Sequence, residues 1–232
     1  MSAAAPESGQ QDLGGWLNQL RAGVLGANDG IVSTAGIVIG MAAATKSVPV
    51  ILASGLAGLA AGALSMASGE YVSVSTQRDT ERALLDAERE QLTRDPEAAL
   101  AELTQEYVDK GLSEDLARQV AIELSAGDAL AAHADAELHL DPEALTNPWH
   151  AAVASIVSFA IGGMLPLLAI VLVLVTARIP VTFGAVIIAL VLTGWISARM
   201  GHAPPARATL RTVIGGALAM VTTYALGLVF DV

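Results

Sequence analysis

Residues 49–74 read PVILASGLAGLAAGALSMASGEYVSV and hold a single charged side chain, Glu70. As a helix, such a run is long enough to cross a hydrocarbon core of about 30 Å, which takes about 20 residues. Four further apolar runs of this kind lie at 22–44, 150–175, 180–200 and 209–230. The short connections at Lys46–Pro49 and Arg178–Pro180 make the first two runs a hairpin, and the third and fourth another. The chain is 53% hydrophobic and only 15% charged, with a mean hydropathy of +0.57, which removes it from the range of water-soluble domains. The reading is an all-α integral membrane protein of five transmembrane helices, with membrane lipid as the solvent of its apolar spans.

Between the second and third runs lies a polar insert with a character of its own. Of the 23 acidic residues, 18 fall between Arg78 and Asn147, against 6 of the 12 basic ones. The formal charge of −11 therefore belongs almost wholly to this insert. A polyanionic surface repels nucleic acid and anionic lipid heads, so its partner is a cation or a basic protein. The chain has no cysteine, which excludes disulfides and thiolate metal sites and leaves carboxylate, imidazole and thioether as ligands. Orientation follows from the positive residues near the span ends. Arg21, Arg78, Arg82, Arg199, Arg207 and Arg211 fall on one side, and Lys46 and Arg178 on the other. That bias predicts a cytoplasmic N-terminus and insert, with Asp231-Val232 outside.

The expected organisation is a polar N-terminal tail at 1–21, two transmembrane helices within 22–76, an acidic helical domain at 77–148 and three more transmembrane helices within 149–232. The tail lacks a basic region ahead of the first span, so it reads as solvated and not as a cleaved signal. In the insert, the second span continues as a helix through Gln77–Leu92. Asp95-Pro96-Glu97 supplies a cap, a first-position proline and an acidic first turn for a second helix to about Asp109. Ser113 opens a third, to about Leu138, before two prolines, Pro142 and Pro148, break the chain. Leu84, Leu85, Leu92, Leu100, Leu103, Tyr107, Leu112, Leu116, Val120 and Leu124 are the expected core of this small bundle.

Asp29 and Glu70 are carboxylates inside apolar spans, and an ionisable residue at membrane depth points to an ion pathway. The plainer alternative, a residue solvated near the interface, stays open for both, and more so for Glu70, which lies close to Arg78. Met66 stands one helical turn before Glu70, as a thioether ligand or as packing. Glycines at helical spacing, Gly26/Gly30, Gly36/Gly40 and Gly58/Gly62, predict close helix contacts within or between subunits. In the insert, Glu81 and Glu88 are seven apart, Glu102 and Glu106 four apart, and His133 and Glu137 four apart, each pair on one helix face. Such faces offer oxygen-rich ligation of divalent cations, or form a solvated acidic surface. None of the four histidines follows a glutamate by three residues, and no nucleophile has a paired base, so neither a di-iron oxidase nor another enzyme is expected.

The stretches Gly26-Ala27-Asn28-Asp29-Gly30-Ile31-Val32-Ser33-Thr34 and Ser65-Met66-Ala67-Ser68-Gly69-Glu70-Tyr71-Val72-Ser73-Val74 resemble the vacuolar iron transporter (VIT) family, as do Asp128–His133 and Asn147-Pro148-Trp149. The resemblance covers nearly the whole chain. It implies a homodimer in the cell membrane that exports cytosolic Fe²⁺ or Mn²⁺ in exchange for protons, with the metal as cargo and no resident cofactor. By position it implies Asp29 and Met66 in the path between subunits, and Glu88, Glu102 and Glu137 as metal ligands of the cytoplasmic domain, with Glu81 and Glu106 beside them. The sequence departs from the family pattern at His133-Ala134, where some members carry adjacent methionines, and at Gln91, where another glutamate is expected. The alternative is a membrane-anchored scaffold whose acidic domain binds a basic partner or buffers metal without moving it.

Overall fold

The computed structural model describes residues 8–230, with side-chain surroundings from residue 23 onward; residues 1–7 and Asp231-Val232 lie outside it. Among the described residues the chain is all helical: α1 (Ser8–Ala44), α2 (Val48–Arg94), α3 (Pro96–Asp109), α4 (Glu114–His133), a π-helical turn (Ala134–Leu138), α5 (Pro148–Leu172), α6 (Arg178–Met200) and α7 (Pro205–Val229). Five of them are long and apolar enough to cross a membrane: α1 from Gly23, α2, α5, α6 and α7. Helices suit that solvent because every backbone donor and acceptor is bonded within its own segment. The protein is a membrane protein with several spans.

Three boundaries differ from the sequence reading. Helix α1 starts at Ser8, so most of the expected tail is helical; Leu13, Trp16, Leu17 and Leu20 recur at helical spacing ahead of the span. Helix α5 ends at Leu172, where Val173, Val175 and Thr176 disfavour a further helical turn. Helix α7 starts four residues early, at Pro205, whose fixed φ and missing N–H suit a first helical position.

The chain forms two compact units, residues 1–71 with 149–232, and residues 72–148. In the first, α1 is shared by two cores. Ile31, Ala35 and Ile39 pack with Val186, Leu190 and Met220 of α6 and α7. Val38 packs with Ile51 and Leu59 of α2 and with Phe159, Leu167 and Ile170 of α5. The glycine stripes explain how the helices come so close, and they do so within one chain. A Cβ on Gly30 would overlap the Phe159 carbonyl of α5, and one on Gly227 of α7 would overlap the Gly40 carbonyl of α1. Large apolar side chains point outward, among them Ile161 at 68% exposure, Leu172 at 76% and Leu218 at 62%. Such a surface is costly in water and is native to lipid.

The second unit is built from the C-terminal part of α2 with α3, α4 and the π-helical turn. Asp95 caps α3 by accepting from the Ala98 N–H at 3.1 Å, with Pro96 in the first turn. Gly111, at φ +102°, turns the chain toward α4. The expected leucine core is only partly present. Leu85 and Leu103 are buried, whereas Leu84, Leu116 and Leu124 are exposed. In their place Ala99 of α3 and Ala117 and Ala121 of α4 are fully buried, because two short helices in close contact leave no room for leucine. Helix α4 is also not regular. Asp128 leaves helical geometry (φ −123°, ψ 99°), and its carboxylate accepts from the Ala131 N–H at 3.0 Å, so it caps a new helical segment inside α4. The π-helical turn and a left-handed His139 then close the element.

Substituting Gly30→Ala should lower the melting temperature of the detergent-solubilised protein, at a cost of about 1–3 kcal/mol, the range for overpacking. Gly184→Ala, where nothing lies within 4 Å of the added methyl, should leave melting unchanged. Asp128→Ala should destabilise the second unit by about 1 kcal/mol, the usual worth of such a cap, read as earlier loss of amide protection in residues 129–138 by hydrogen exchange.

Candidate metal centre

The Asp128 break and the π-helical turn redirect the chain so that His133 of α4 and Glu137 of the turn meet Glu88 of α2. The Nδ1 atom of His133 lies 3.2 Å from Glu88 Oε1 and 3.0 Å from Glu137 Oε1. Three ligand atoms, one from each residue, all lie within 4.8 Å of one another. His133 is 1% exposed, and Glu88 is 7% exposed. A single imidazole N–H serves one acceptor at a time; it pairs with Glu137, and the buried Oε1 of Glu88 has no hydrogen-bond donor. A buried carboxylate oxygen without a donor carries a desolvation cost of several kcal/mol unless a cation or proton meets it.

The electrostatics point the same way. Glu137 has its pKa raised, first by burial and then by the charge of Glu88, with Glu102 adding to the effect and His133 opposing it. A carboxyl that binds its proton more tightly when folded contributes most to stability below its unfolded pKa. That contribution is lost as pH rises through the folded value. Two carboxylates held this close repel each other when both are ionised, and a divalent cation bound between them would relieve the repulsion. Two carboxylates and an imidazole form a donor set of hard and borderline character, suited to Fe²⁺, Mn²⁺ or Zn²⁺ and poor for Cu⁺.

The other acidic residues singled out from the sequence go elsewhere. Glu81 is buried on α2, but it is satisfied by neutral donors, Gln77 Nε2 at 2.7 Å and Thr146 Oγ1 at 3.3 Å. Glu106 is half-exposed and stands 3.8 Å from Lys110 Nζ, a weak surface pair. Glu102 is held by a hydrogen bond from Gln91 Nε2 and reaches Glu137 only through its field. Gln91 thus works as a donor in place of the glutamate expected there. Spacing put His133 and Glu137 on one face; the addition of Glu88 depends on the break at Asp128, which no spacing rule signals.

In the membrane unit, Asp29 is exposed on α1 and accepts from Ser33 Oγ at 2.7 Å, one turn along the same helix. Met66 is half-buried and packs at the edge of the core formed by Val38, Leu59 and Phe159. Glu70 is half-buried and lines a cavity of about 620 Å³ together with Asn28 of α1 and residues of α6 and α7. Asn28 is a polar residue that the sequence reading passed over beside the more conspicuous Asp29. Its Oδ1 is buried without a hydrogen-bond partner.

Comparison with known proteins places these features in a family. The VIT family pattern matches residues 20–228. A vacuolar iron transporter of Acanthamoeba castellanii is 41% identical over 220 residues, covering 92% of this chain and 78% of that protein. The vacuolar iron transporter homolog 3 of Arabidopsis thaliana is 36% identical over 206 residues, 88% of this chain and 80% of its own length. The vacuolar iron transporter homolog 5 of Oryza sativa subsp. japonica is 37% identical over 216 residues, 93% and 82% respectively. With a match that spans all five candidate membrane helices and the unit between them, this chain belongs to the VIT family.

Proposed function

We propose that the protein is a metal-ion transporter that exports Fe²⁺ or Mn²⁺ from the cytosol in exchange for protons, working as a homodimer in the cell membrane. The observation that carries this reading is the buried cluster of Glu88, His133 and Glu137, with a donorless carboxylate oxygen, in a chain of the VIT family. The N-terminus and the acidic unit face the cytoplasm in this reading, because the arginines near the span ends gather on that side. The acidic unit then serves as a cytoplasmic metal-binding domain. The relatives are named for the vacuole, and the side rule applies equally to any membrane whose cytoplasmic face holds the basic residues.

In this mechanism the acidic unit collects the ion, with Glu88, His133 and Glu137 as its ligands. Glu102 acts as a nearby charge, and Glu81 and Glu106 belong to the outer acidic field. The ion then passes to Glu70, Met66 and Asp29 in the membrane. A proton arriving at a carboxylate there removes the charge that holds the metal, so one group serves both ions in turn. The cargo is carried unchanged, and no step asks for catalysis by the protein. A scaffold that only bound or buffered metal would keep the acidic-unit site and move nothing.

Two measurements test this. In proteoliposomes with a divalent-ion dye and a pH dye, the protein should move Fe²⁺ or Mn²⁺ with opposite proton flow, and Asp29→Ala should be silent; transport by that variant at the normal rate would refute the pathway. In thermal melts of the full-length protein, Mn²⁺ at about 100 times its Kd should stabilise the protein by about 2.7 kcal/mol. Glu88→Gln and Glu137→Gln should each remove most of that shift, while Glu137→Gln, by removing one of two repelling charges, should not destabilise the metal-free protein.

A further inference from the structure

The cavity beside Glu70 lies within one protomer's membrane unit and is separate from the exposed face of α1 that carries Asp29. Asn28 and Asp29 are consecutive on α1 and so point about 100° apart around the helix. Asn28 lines the cavity, and Asp29 is exposed and does not. The polar lining comes from four helices: Asn28 of α1, Glu70 of α2, Thr193 and Ser197 of α6 and Thr212 of α7, with the thioether of Met200 beside them.

The two threonine hydroxyls face the cavity as acceptors. Thr193 donates its hydroxyl proton to the Leu190 carbonyl at 3.3 Å, and Thr212 donates its own to the Ala208 carbonyl at 3.1 Å. With those protons committed to their own helices, each hydroxyl oxygen offers the cavity only lone pairs. Asn28 Oδ1 adds a buried acceptor that lacks any donor, and among the described lining residues Glu70 supplies the formal charge. Most of the described wall is apolar, and the polar groups set in it, mainly acceptors together with the Glu70 carboxylate, suit a cation.

The space admits an ion that keeps its water. A divalent ion with six waters displaces about 200 Å³, at about 30 Å³ per water, and the cavity offers about 620 Å³. A proton would need no such space. One carboxylate cannot strip a divalent ion of its water, so the ion would keep most of its shell and touch the neutral oxygens through it. We propose that this cavity is a holding site for a hydrated divalent cation inside each protomer, with Glu70 and Asn28 as its main contacts and Thr193, Ser197 and Thr212 receiving its water. The proposal rests on the transport reading only for which cation arrives there; Met200 favours a transition-metal ion over Mg²⁺ or Ca²⁺ once water is shed.

The test uses the full-length protein in nanodiscs and counts bound Mn²⁺ from the loss of the free-ion paramagnetic resonance signal. A background variant combining Asp29→Asn, Glu88→Gln and His133→Ala removes the other candidate sites. Adding Glu70→Gln or Asn28→Leu to it should then release one further ion per protomer, and Thr212→Val should weaken that ion's binding. The acidic surface of residues 72–148 is otherwise the same in all these variants, so weak surface binding cancels in the difference. Melting curves check that each variant is folded, and Asn28→Leu and Thr212→Val decide the matter if Glu70→Gln is not. An unchanged count in the folded variants overturns the proposal. If wild-type protein transports metal while these variants bind as the background does, the holding site fails and the transporter reading stands. If no metal is transported yet the ion is lost with Glu70 or Asn28, the transporter reading fails and the site stands.

Discussion

The contact on which the membrane unit depends is the backbone-to-backbone approach of α1 to α5 at Gly30 and Phe159, and to α7 at Gly40 and Gly227. In lipid, apolar side chains gain nothing by leaving their solvent, so helices associate through dispersion and close packing. Glycine is what permits that closeness here. Because α1 meets neighbours on two faces, it belongs to both cores of the unit, one with α6 and α7 and one with α2 and α5. The remaining faces of α5, α6 and α7 are left to lipid, as their exposed leucines, isoleucines and valines show. A helix fixed on both sides is a rigid platform, and it is the one that carries Asn28 and Asp29.

The second unit works by a different rule. It is small, and around Leu103 it fills its centre with alanines that let α3 and α4 touch. Within it the break at Asp128 and the π-helical turn bring His133 and Glu137 against Glu88. Irregular helix of this kind is frequent at functional sites because it re-aims side chains that a straight helix would leave apart. The price is a buried carboxylate oxygen with no donor, which makes the cluster incomplete without a cation or proton.

Much of this was legible in the sequence, and the parts that were not share a cause. The five apolar spans are a matter of length and solvent, and both are written in composition. The glycine pairs announced close packing, though only the structure shows that Gly30 meets the Phe159 carbonyl and Gly36 and Gly40 meet Thr223 of the same chain. The His133/Glu137 pair followed from helical spacing. Glu88 joined it by way of a kink whose only sign was an aspartate that caps as readily as it solvates, and Glu81, similar by spacing, proved to be held by Gln77 and Thr146. The leucine core of the acidic unit was misread because hydrophobicity scales favour leucine over alanine, whereas close contact between short helices favours the smaller side chain. Asn28 was overlooked for a related reason: a neutral amide in an apolar span draws less notice than the charge beside it, yet its buried and unpaired oxygen is the stronger structural signal.

The charges of the candidate sites suggest how an ion would be passed on. Glu88 and Glu137 together present two carboxylates with an imidazole, buried enough to make their field strong. The cavity presents one carboxylate among neutral acceptors, and Asp29 one carboxylate whose partner is a serine hydroxyl. Affinity for a divalent ion rises with the number of charged ligands. A transporter needs a firm grip where the ion is dilute and weak grips wherever it must leave again, since a deep well in the membrane would trap the cargo. On this argument the low charge of the membrane sites is a condition for turnover, and the concentration of carboxylates outside the spans is what lets those sites remain weak.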